Sequence, residues 1–83
     1  MSDSITFKIL RTVGVIEEYP TGWKKELNVI EWNGHPATYD IRDWNPEHTQ
    51  MSRGITFELE MAKKIVECLK ADIEKEKCKD ENN

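Results

Sequence analysis

The chain has little of what builds a membrane span, a secretory leader or a second domain. No segment approaches the roughly 20 consecutive apolar residues of a membrane-spanning helix, and the first residues lack the basic start and apolar block of a signal peptide. We therefore expect a cytoplasmic protein without membrane contact. Its 83 residues, 37% apolar and 34% charged, suffice for one domain with a modest core.

Cysteine and histidine are also scarce, with two of each. Cys68 and Cys78 fall in a predicted helix ten residues apart, about 15 Å along its axis, which is too far for one disulfide within that helix. His35 and His48 lie in predicted loops far from either cysteine, without the ligand spacing of a zinc site. The sequence predicts no disulfide, no metal and no other cofactor.

Catalytic motifs are missing as well. There is no Gly-x-Ser-x-Gly, no phosphate-binding loop of the Walker type and no cysteine placed beside a histidine. Asp40 and Asp43 face opposite sides of a predicted strand, so they are poor candidates for a paired acid and base. We expect that the protein is not an enzyme.

An excess of positive charge is absent too, because 12 Lys and Arg stand against 16 Asp and Glu, for a net charge of -4 at pH 7. This balance argues against adhesion to nucleic acid through overall basicity. Any nucleic-acid site must therefore be a local cluster of cations.

What is present is a succession of short, alternating, β-rich segments separated by turn residues. Gly14 is expected to form a bend or bulge in the first strand, "YPTG" and "NGHP" are turns, and residues 45–54 form a polar loop. Strands are predicted at residues 4–18, 23–32 and 37–44, and residues 55–57 are a short fourth strand or the lead-in to the helix.

From Glu58 the apolar period becomes helical, and we predict a helix to about Lys77 with Thr56 as its N-cap. The fold class is therefore α+β, a four-stranded antiparallel sheet followed by one long helix. One domain is expected over residues 1–78, with a disordered tail at 79–83. The helix carries an apolar stripe wider than one small sheet can cover, which hints at a dimer; it includes Met61, Ala62, Ile65, Val66, Leu69 and Ile73.

The second and third strands form a hairpin whose register follows from the apolar pattern. If paired residue numbers sum to 68, Leu27 faces Ile41 and Val29 faces Tyr39, which assembles one apolar face directed at the helix. The same register gathers on the other face the pairs Lys24 and Trp44, Glu26 and Arg42, Asn28 and Asp40, and Ile30 and Thr38, with Trp32 at the tip.

All three tryptophans of the chain lie in or beside this hairpin. Exposed aromatics beside cations would form a platform on which bases stack while the cations hold phosphates. The alternatives are plainer: a tryptophan in a small protein is more often part of the core, as we expect for Trp23, and Arg42 opposite Glu26 could form a simple cross-strand ion pair. Lys24 and Lys25 could be ordinary solvated surface.

Three segments in order, "GWKKELNVIEWNG", "YDIRDWNPEH" and "RGITF", followed by one amphipathic helix, resemble a known family. The family they resemble is that of the C-terminal domain of the transcriptional coactivator called positive cofactor four, which includes short bacterial relatives of the YdbC type. The resemblance covers residues 5–75. It implies a curved four-stranded sheet, a homodimer formed largely through the helices and strand edges, and binding of single-stranded DNA along β-ridges.

The resemblance also implies roles for individual residues. Trp32 occupies the position of a base-stacking aromatic, Arg42 that of a DNA-contacting arginine, and Trp44 that of the aromatic after it. Arg53 matches the basic residue before the motif's glycine, here Gly54. Lys25 falls where the family carries a basic residue at the start of the second strand.

The chain departs from the family in two respects. This sequence shows no serine-rich regulatory region like that of the eukaryotic protein, so we do not expect its coactivator role to transfer. Glu26 and Glu31 make the proposed surface less basic than the family pattern.

Together these observations predict a homodimer that binds single-stranded DNA with little sequence preference, in transcription regulation, replication or repair. RNA is a possible competitor, the transcription machinery a possible partner, and the nucleoid the expected location. A protein-interaction adaptor of the same fold is the alternative. The predicted nucleic-acid-binding residues are Lys24, Lys25, Asn28, Trp32, Arg42, Trp44 and Arg53, and the predicted core and dimer residues of the helix are Met61, Ile65, Val66, Leu69 and Ile73.

Overall fold

The computed structural model describes residues 5–81, and the side chains of residues 5–76. Four antiparallel strands pair in chain order and are followed by one helix, which confirms the predicted α+β architecture. Within these residues, no helix combines the length and apolar character needed to cross a membrane. The elements are β1 (Phe7–Glu18), β2 (Lys24–Trp32), β3 (Thr38–Trp44), β4 (Ile55–Phe57) and α1 (Leu59–Glu81).

The β2–β3 hairpin has the predicted register. Paired residue numbers sum to 68 from Lys24 opposite Trp44 to Ile30 opposite Thr38. The turn places Asn33 and Gly34 in the left-handed region, with φ of 49° and 78°, which asparagine and glycine tolerate best. This turn fixes the register and so decides which side chains share a face.

Irregular pairing marks the outer strand β1. Its register against β2 shifts between Ile9 and Arg11, between Thr12 and Gly14, and between Val15 and Glu17. The bulge predicted at Gly14 is confirmed as one of these three. Bulges increase the local twist of a strand, and at the start of β1 the ring of Phe7 lies 5.2 Å from that of Trp44.

The most deeply buried side chains lie on the face of the hairpin opposite to the one that we expected to form the core. Ile30, Asn28 and Asp40 are fully buried and Trp44 is only 1% exposed. Besides Phe7, the ring of His48 contacts Trp44 at 5.5 Å. The expectation of an exposed Trp44 and an accessible Asn28 is therefore corrected, because β1 and the 45–54 loop cover this face.

Asn45 holds that loop in its folded form. Its side-chain oxygen accepts hydrogen bonds from the backbone N–H groups of Thr49 and Gln50, both at 2.9 Å, and its amide nitrogen donates to the Thr49 hydroxyl at 2.8 Å. His48 adopts a left-handed φ of 59° within this turn. An asparagine that satisfies nearby backbone donors stabilises a tight turn, and here it directs His48 back onto the sheet.

The helix begins and ends later than predicted. The carbonyl of Glu58 accepts the bond from the Ala62 N–H at 2.9 Å, so Glu58 and not Thr56 occupies the N-cap position. The helical backbone continues past Lys77 to Glu81 and includes residues that we assigned to the tail. Residues 82 and 83 and the side chain of Cys78 lie outside the described part, while Cys68 is an exposed free thiol.

The helix-facing side of the sheet is only partly covered. An apolar groove of about 400 Å³ separates α1 from the sheet, and residues of both line it, including Leu27, Tyr39, Ile41, Ile65 and Leu69. Large apolar side chains of the helix remain more than half exposed, namely Leu59, Met61, Val66, Leu69 and Ile73. A single chain therefore leaves the apolar stripe of its helix open to solvent.

Gly54 lets β4 approach β3, and this generates a prediction. A Cβ at Gly54 would collide with the backbone oxygen of Ile41 and the Cβ of Arg42, whereas a Cβ at Gly14 would meet open space. We expect Gly54→Ala to lower the free energy of unfolding by about 1–3 kcal/mol through overpacking, measured by urea denaturation. The matched variant Gly14→Ala should stay within about 0.5 kcal/mol. Equal losses in both would show that close approach is not what requires glycine at position 54.

Candidate nucleic-acid interface

Trp32 and Arg42 form the centre of the candidate site. Trp32 ends β2 and Arg42 lies in β3, and the guanidinium carbon of Arg42 sits over the Trp32 ring, 4.8 Å from its centroid. This is a cation–π contact, in which the ring's negative face attracts the guanidinium. The Phe7 ring supports Trp32 at 5.8 Å, so the pair has a fixed position at this end of the hairpin.

Asp40 fixes the orientation of Arg42. The Nε and Nη2 atoms of Arg42 donate to the two carboxylate oxygens of Asp40, each at 2.7 Å. The Thr56 hydroxyl donates to the same carboxylate at 2.8 Å. Asp40 is 0% exposed, and two parallel N–H···O bonds define the guanidinium plane. Arg42 thus pairs with Asp40 on its own strand, and not with Glu26 across the hairpin.

The remaining terminal nitrogen of Arg42 contacts the 45–54 loop. Nη1 lies 3.4 Å from the backbone oxygen of Ser52 and 3.6 Å from the sulfur of Met51. The loop is tied to β3 independently, because the Ser52 N–H donates to the backbone oxygen of Asp43 at 3.0 Å. Arg42 therefore joins the strand, the loop and the tryptophan in one arrangement.

Glu26 and Asn28 belong to a buried polar cluster beneath the loop. The Nε2 atom of His48 lies 3.0 Å from both carboxylate oxygens of Glu26, and the amide of Asn28 donates to one of them at 3.0 Å. Glu26 is 5% exposed and Asn28 is fully buried. Asn28 thus serves the interior, and the negative charge of Glu26 is withdrawn from the surface. Within the described residues, no three His, Cys, Asp or Glu side chains are arranged to hold a metal.

Lys25 does not join the other predicted contacts. It alternates with Lys24 along β2 and therefore lies on the opposite face from Trp32. Its Nζ forms an ion pair with Asp43 at 2.8 Å, and the Tyr19 hydroxyl donates to the same Asp43 oxygen at 3.1 Å. The hydrogen bond with Asp43 raises the pKa of Lys25, and that with Lys25 lowers the pKa of Asp43. The charge of Lys25 is thus compensated.

Lys24 and Arg53 are the exposed cations of the predicted set. Among the described residues, neither forms an ion pair with an acidic side chain. Arg53 directly precedes Gly54, which packs against Arg42. Lys24 shares a face of β2 with Trp32 but lies eight residues away, about 26 Å along the strand. Arg53 is therefore the exposed cation nearer to the tryptophan.

An open depression adjoins the Trp32–Arg42 pair. Its volume is about 300 Å³, near the lower end of the range for small-ligand clefts. Sequence reasoning predicted only Trp32 and Arg42 of its lining. The fold of the 45–54 loop brings Met51 to the hairpin, and the pairing of β4 with β3 brings Thr56, and neither residue type suggests nucleic-acid contact. The lining residues are Ile5, Trp32, Asn33, Arg42, Met51 and Thr56.

The match to known proteins covers most of the elements that build this site. The family model of the transcriptional coactivator p15 (PC4) matches residues 19–68, which include β2, β3, β4 and the first part of α1. An uncharacterized protein of Treponema pallidum (strain Nichols) is 38% identical over 56 residues, which cover 68% of this chain. That match spans 66% of the relative's own length, just under two thirds. Because the family model matches more than half of the chain, the chain belongs to the transcriptional coactivator p15 (PC4) family.

Proposed function

We propose that the protein binds single-stranded DNA as a homodimer, with little sequence preference, at the Trp32–Arg42 pair. The observation that carries this proposal is the fixed aromatic–cation pair beside an open depression, in a chain of the PC4 family. Unpaired bases expose flat faces that stack on such surfaces, whereas a duplex hides them. Because every base has a π-face, contacts of this kind discriminate little between sequences.

The phosphates of the strand are contacted by exposed cations. Arg53 is the first candidate, because it is exposed and adjoins the Gly54 contact with Arg42. Lys24 would meet a strand only where that strand continues along β2. Since the chain carries a net charge of -4, these are local attractions, and stacking has to contribute a larger share of the affinity than in a basic protein.

The homodimer is supported by the open stripe of α1. Five large apolar side chains of the helix are each 53–56% exposed, and fully burying such a side chain contributes about 1.5–3 kcal/mol. A second copy of the chain offers the same apolar surface, as a two-fold interface requires. Pairing would also join two DNA sites, so that a longer strand is held by two linked contacts.

We infer that the cellular role lies with exposed single strands, in transcription regulation, replication or repair, and that the protein works in the nucleoid. RNA presents the same unpaired bases and is the natural competitor. Titration of one labelled oligonucleotide each of single-stranded DNA, duplex DNA and RNA tests the ligand class. Absence of oligo-dT binding at low salt would overturn the proposal.

Removal of the stacking aromatic gives the first binding prediction. Trp32→Ala should weaken binding of oligo-dT by about 1–3 kcal/mol for each base in contact, measured by fluorescence anisotropy. Trp32→Phe retains an aromatic face and should recover most of the affinity. Trp23→Ala removes a half-buried tryptophan beyond the other end of β2, and as folded protein it serves as the control. Unchanged affinity in a folded Trp32→Ala protein would contradict the stacking mechanism.

Salt dependence tests whether Arg53 binds a phosphate. For single strands, the slope of log K against log salt is about -0.7 for each phosphate that the protein neutralises. Arg53→Ala should therefore flatten the slope by about 0.7 per arginine that binds a phosphate. Lys70→Ala removes the same charge from an exposed position of α1 and should leave the slope unaltered. If both variants give the same slope, Arg53 does not bind a phosphate.

The dimer is tested by a charge in the apolar stripe. Leu69→Glu should give a monomer in sedimentation at micromolar concentration, since a buried unpaired carboxylate opposes association. Ala71→Glu adds the same charge on the side of α1 away from the stripe and should remain dimeric. A wild-type protein of monomeric mass under these conditions would refute the dimer, and a dimeric Leu69→Glu protein would exclude this stripe as the interface.

A further inference from the structure

Arg42 has few N–H donors left for a ligand. A guanidinium carries five N–H donors in one plane. Four of the five in Arg42 have partners: two contact Asp40, one contacts the Ser52 carbonyl and one contacts the Met51 sulfur. A bidentate contact with phosphate needs two parallel N–H groups on one edge. Only one N–H, on Nη2, has no partner among the described residues, so that edge-on contact is not open to Arg42.

The charge of Arg42 is also compensated. The Asp40 carboxylate accepts two hydrogen bonds from Arg42, each at 2.7 Å, and is itself fully buried. The Arg42 side chain is 15% exposed. A phosphate would have to compete with a carboxylate that already forms a bidentate pair. Arg42 is thus poorly suited to attract a phosphate, unlike the exposed Arg53.

The two flat faces of the guanidinium remain. One lies over the Trp32 ring at 4.8 Å. Arg42 also lines the depression of about 300 Å³ together with Trp32, Met51 and Thr56. Because its edges are engaged and one face covers the tryptophan, the other face is the part of the group that can meet an occupant of this depression.

We propose that Arg42 contacts a nucleobase with the face of its guanidinium, and that Asp40, held by Thr56, is the positioning residue that keeps this face in place. The ligand at this subsite is one unpaired base, stacked on a guanidinium whose carbon lies over the Trp32 ring. Planar guanidinium groups stack on aromatic faces, which the ammonium of lysine cannot imitate. This inference rests on the proposed function, because it names which part of the site meets the base.

Replacement of Arg42 by lysine distinguishes the contribution of the flat guanidinium to binding from that of its positive charge. Arg42→Lys keeps the positive charge and a donor for Asp40 but has no flat surface. We expect oligo-dT binding to weaken by about 3- to 30-fold, the range of a cation–π contact, with an unaltered salt slope. The control is Arg11→Lys, the same exchange at an exposed position of β1, which should bind as the wild type does.

An abasic oligonucleotide of equal length and charge is the second ligand. The loss of affinity caused by Arg42→Lys should disappear on this ligand, since it offers phosphates but no base, whereas the loss caused by Arg53→Ala should persist. If Arg42→Lys weakens binding of both ligands equally, or of neither, the face contact is refuted. If the wild type binds neither ligand, the proposed function itself fails, and if it binds both equally, base stacking fails.

Asp40→Asn gives a result of opposite sign for the two possible roles of Arg42. If Asp40 positions a stacking face, the variant should lose preference for oligo-dT over the abasic strand and keep its salt slope. If Arg42 instead contacted phosphate, removing the competing carboxylate would raise affinity and steepen the slope by about 0.7 per site. The second outcome would overturn the inference. Circular dichroism tests whether the Asp40→Asn variant is folded. If this variant does not fold, the comparison of Arg42→Lys on the two ligands decides between the two roles of Arg42.

Discussion

The buried ion pair between Asp40 and Arg42 is the constraint around which the rest of this face is arranged. A carboxylate that is 0% exposed costs several kcal/mol in lost hydration unless a charged partner and hydrogen bonds replace the water. Here Arg42 supplies the charge and two bonds, and Thr56 supplies a third. The third hydrogen bond to Asp40 thus requires β4 to lie beside β3. This position in turn requires glycine at 54, because a Cβ there would collide with β3.

The same requirement explains why the two faces of the sheet differ. On the face that carries Asp40, Phe7 and His48 of the 45–54 loop contact Trp44, and Ile30 is fully buried, so that the chain buries its largest side chains on the face away from the helix. The helix-facing side is left with a groove of about 400 Å³ and an exposed apolar stripe. Such a surface is stable in water when a second apolar surface covers it, so the internal core and the outward stripe have separate roles.

The sequence predicted the elements of the sheet and the hairpin register because alternation and turn residues are local signals. Val29 is buried on the helix-facing side as expected, but the sequence did not predict that the most deeply buried side chains lie on the other face, since nothing in the composition of a polar loop tells which face it will cover. The alternation of side chains in β3 places Trp44 on the same face in either case, so it does not tell whether a ligand covers this ring or whether Phe7 and His48 do. Thr56 was a reasonable N-cap by residue type, but its hydroxyl is used by Asp40, which only the β3–β4 pairing brings near. Two features were locally encoded: the Asn45 turn and the same-face spacing of Asp40 and Arg42.

Charge is distributed in a way that the net value of -4 conceals. Glu26 is buried under His48, Asp40 is neutralised by Arg42, and Asp43 is paired with Lys25 on the far face. Three acids of the hairpin therefore contribute little repulsion near Trp32, while Arg53 remains exposed. Beside the tryptophan, Asp40 and Arg42 compensate each other's charge, flat groups are held in place and an exposed cation lies nearby. For a strand bound there, affinity would depend on the position of planar groups more than on charge, and it would fall with salt less steeply than in a basic domain.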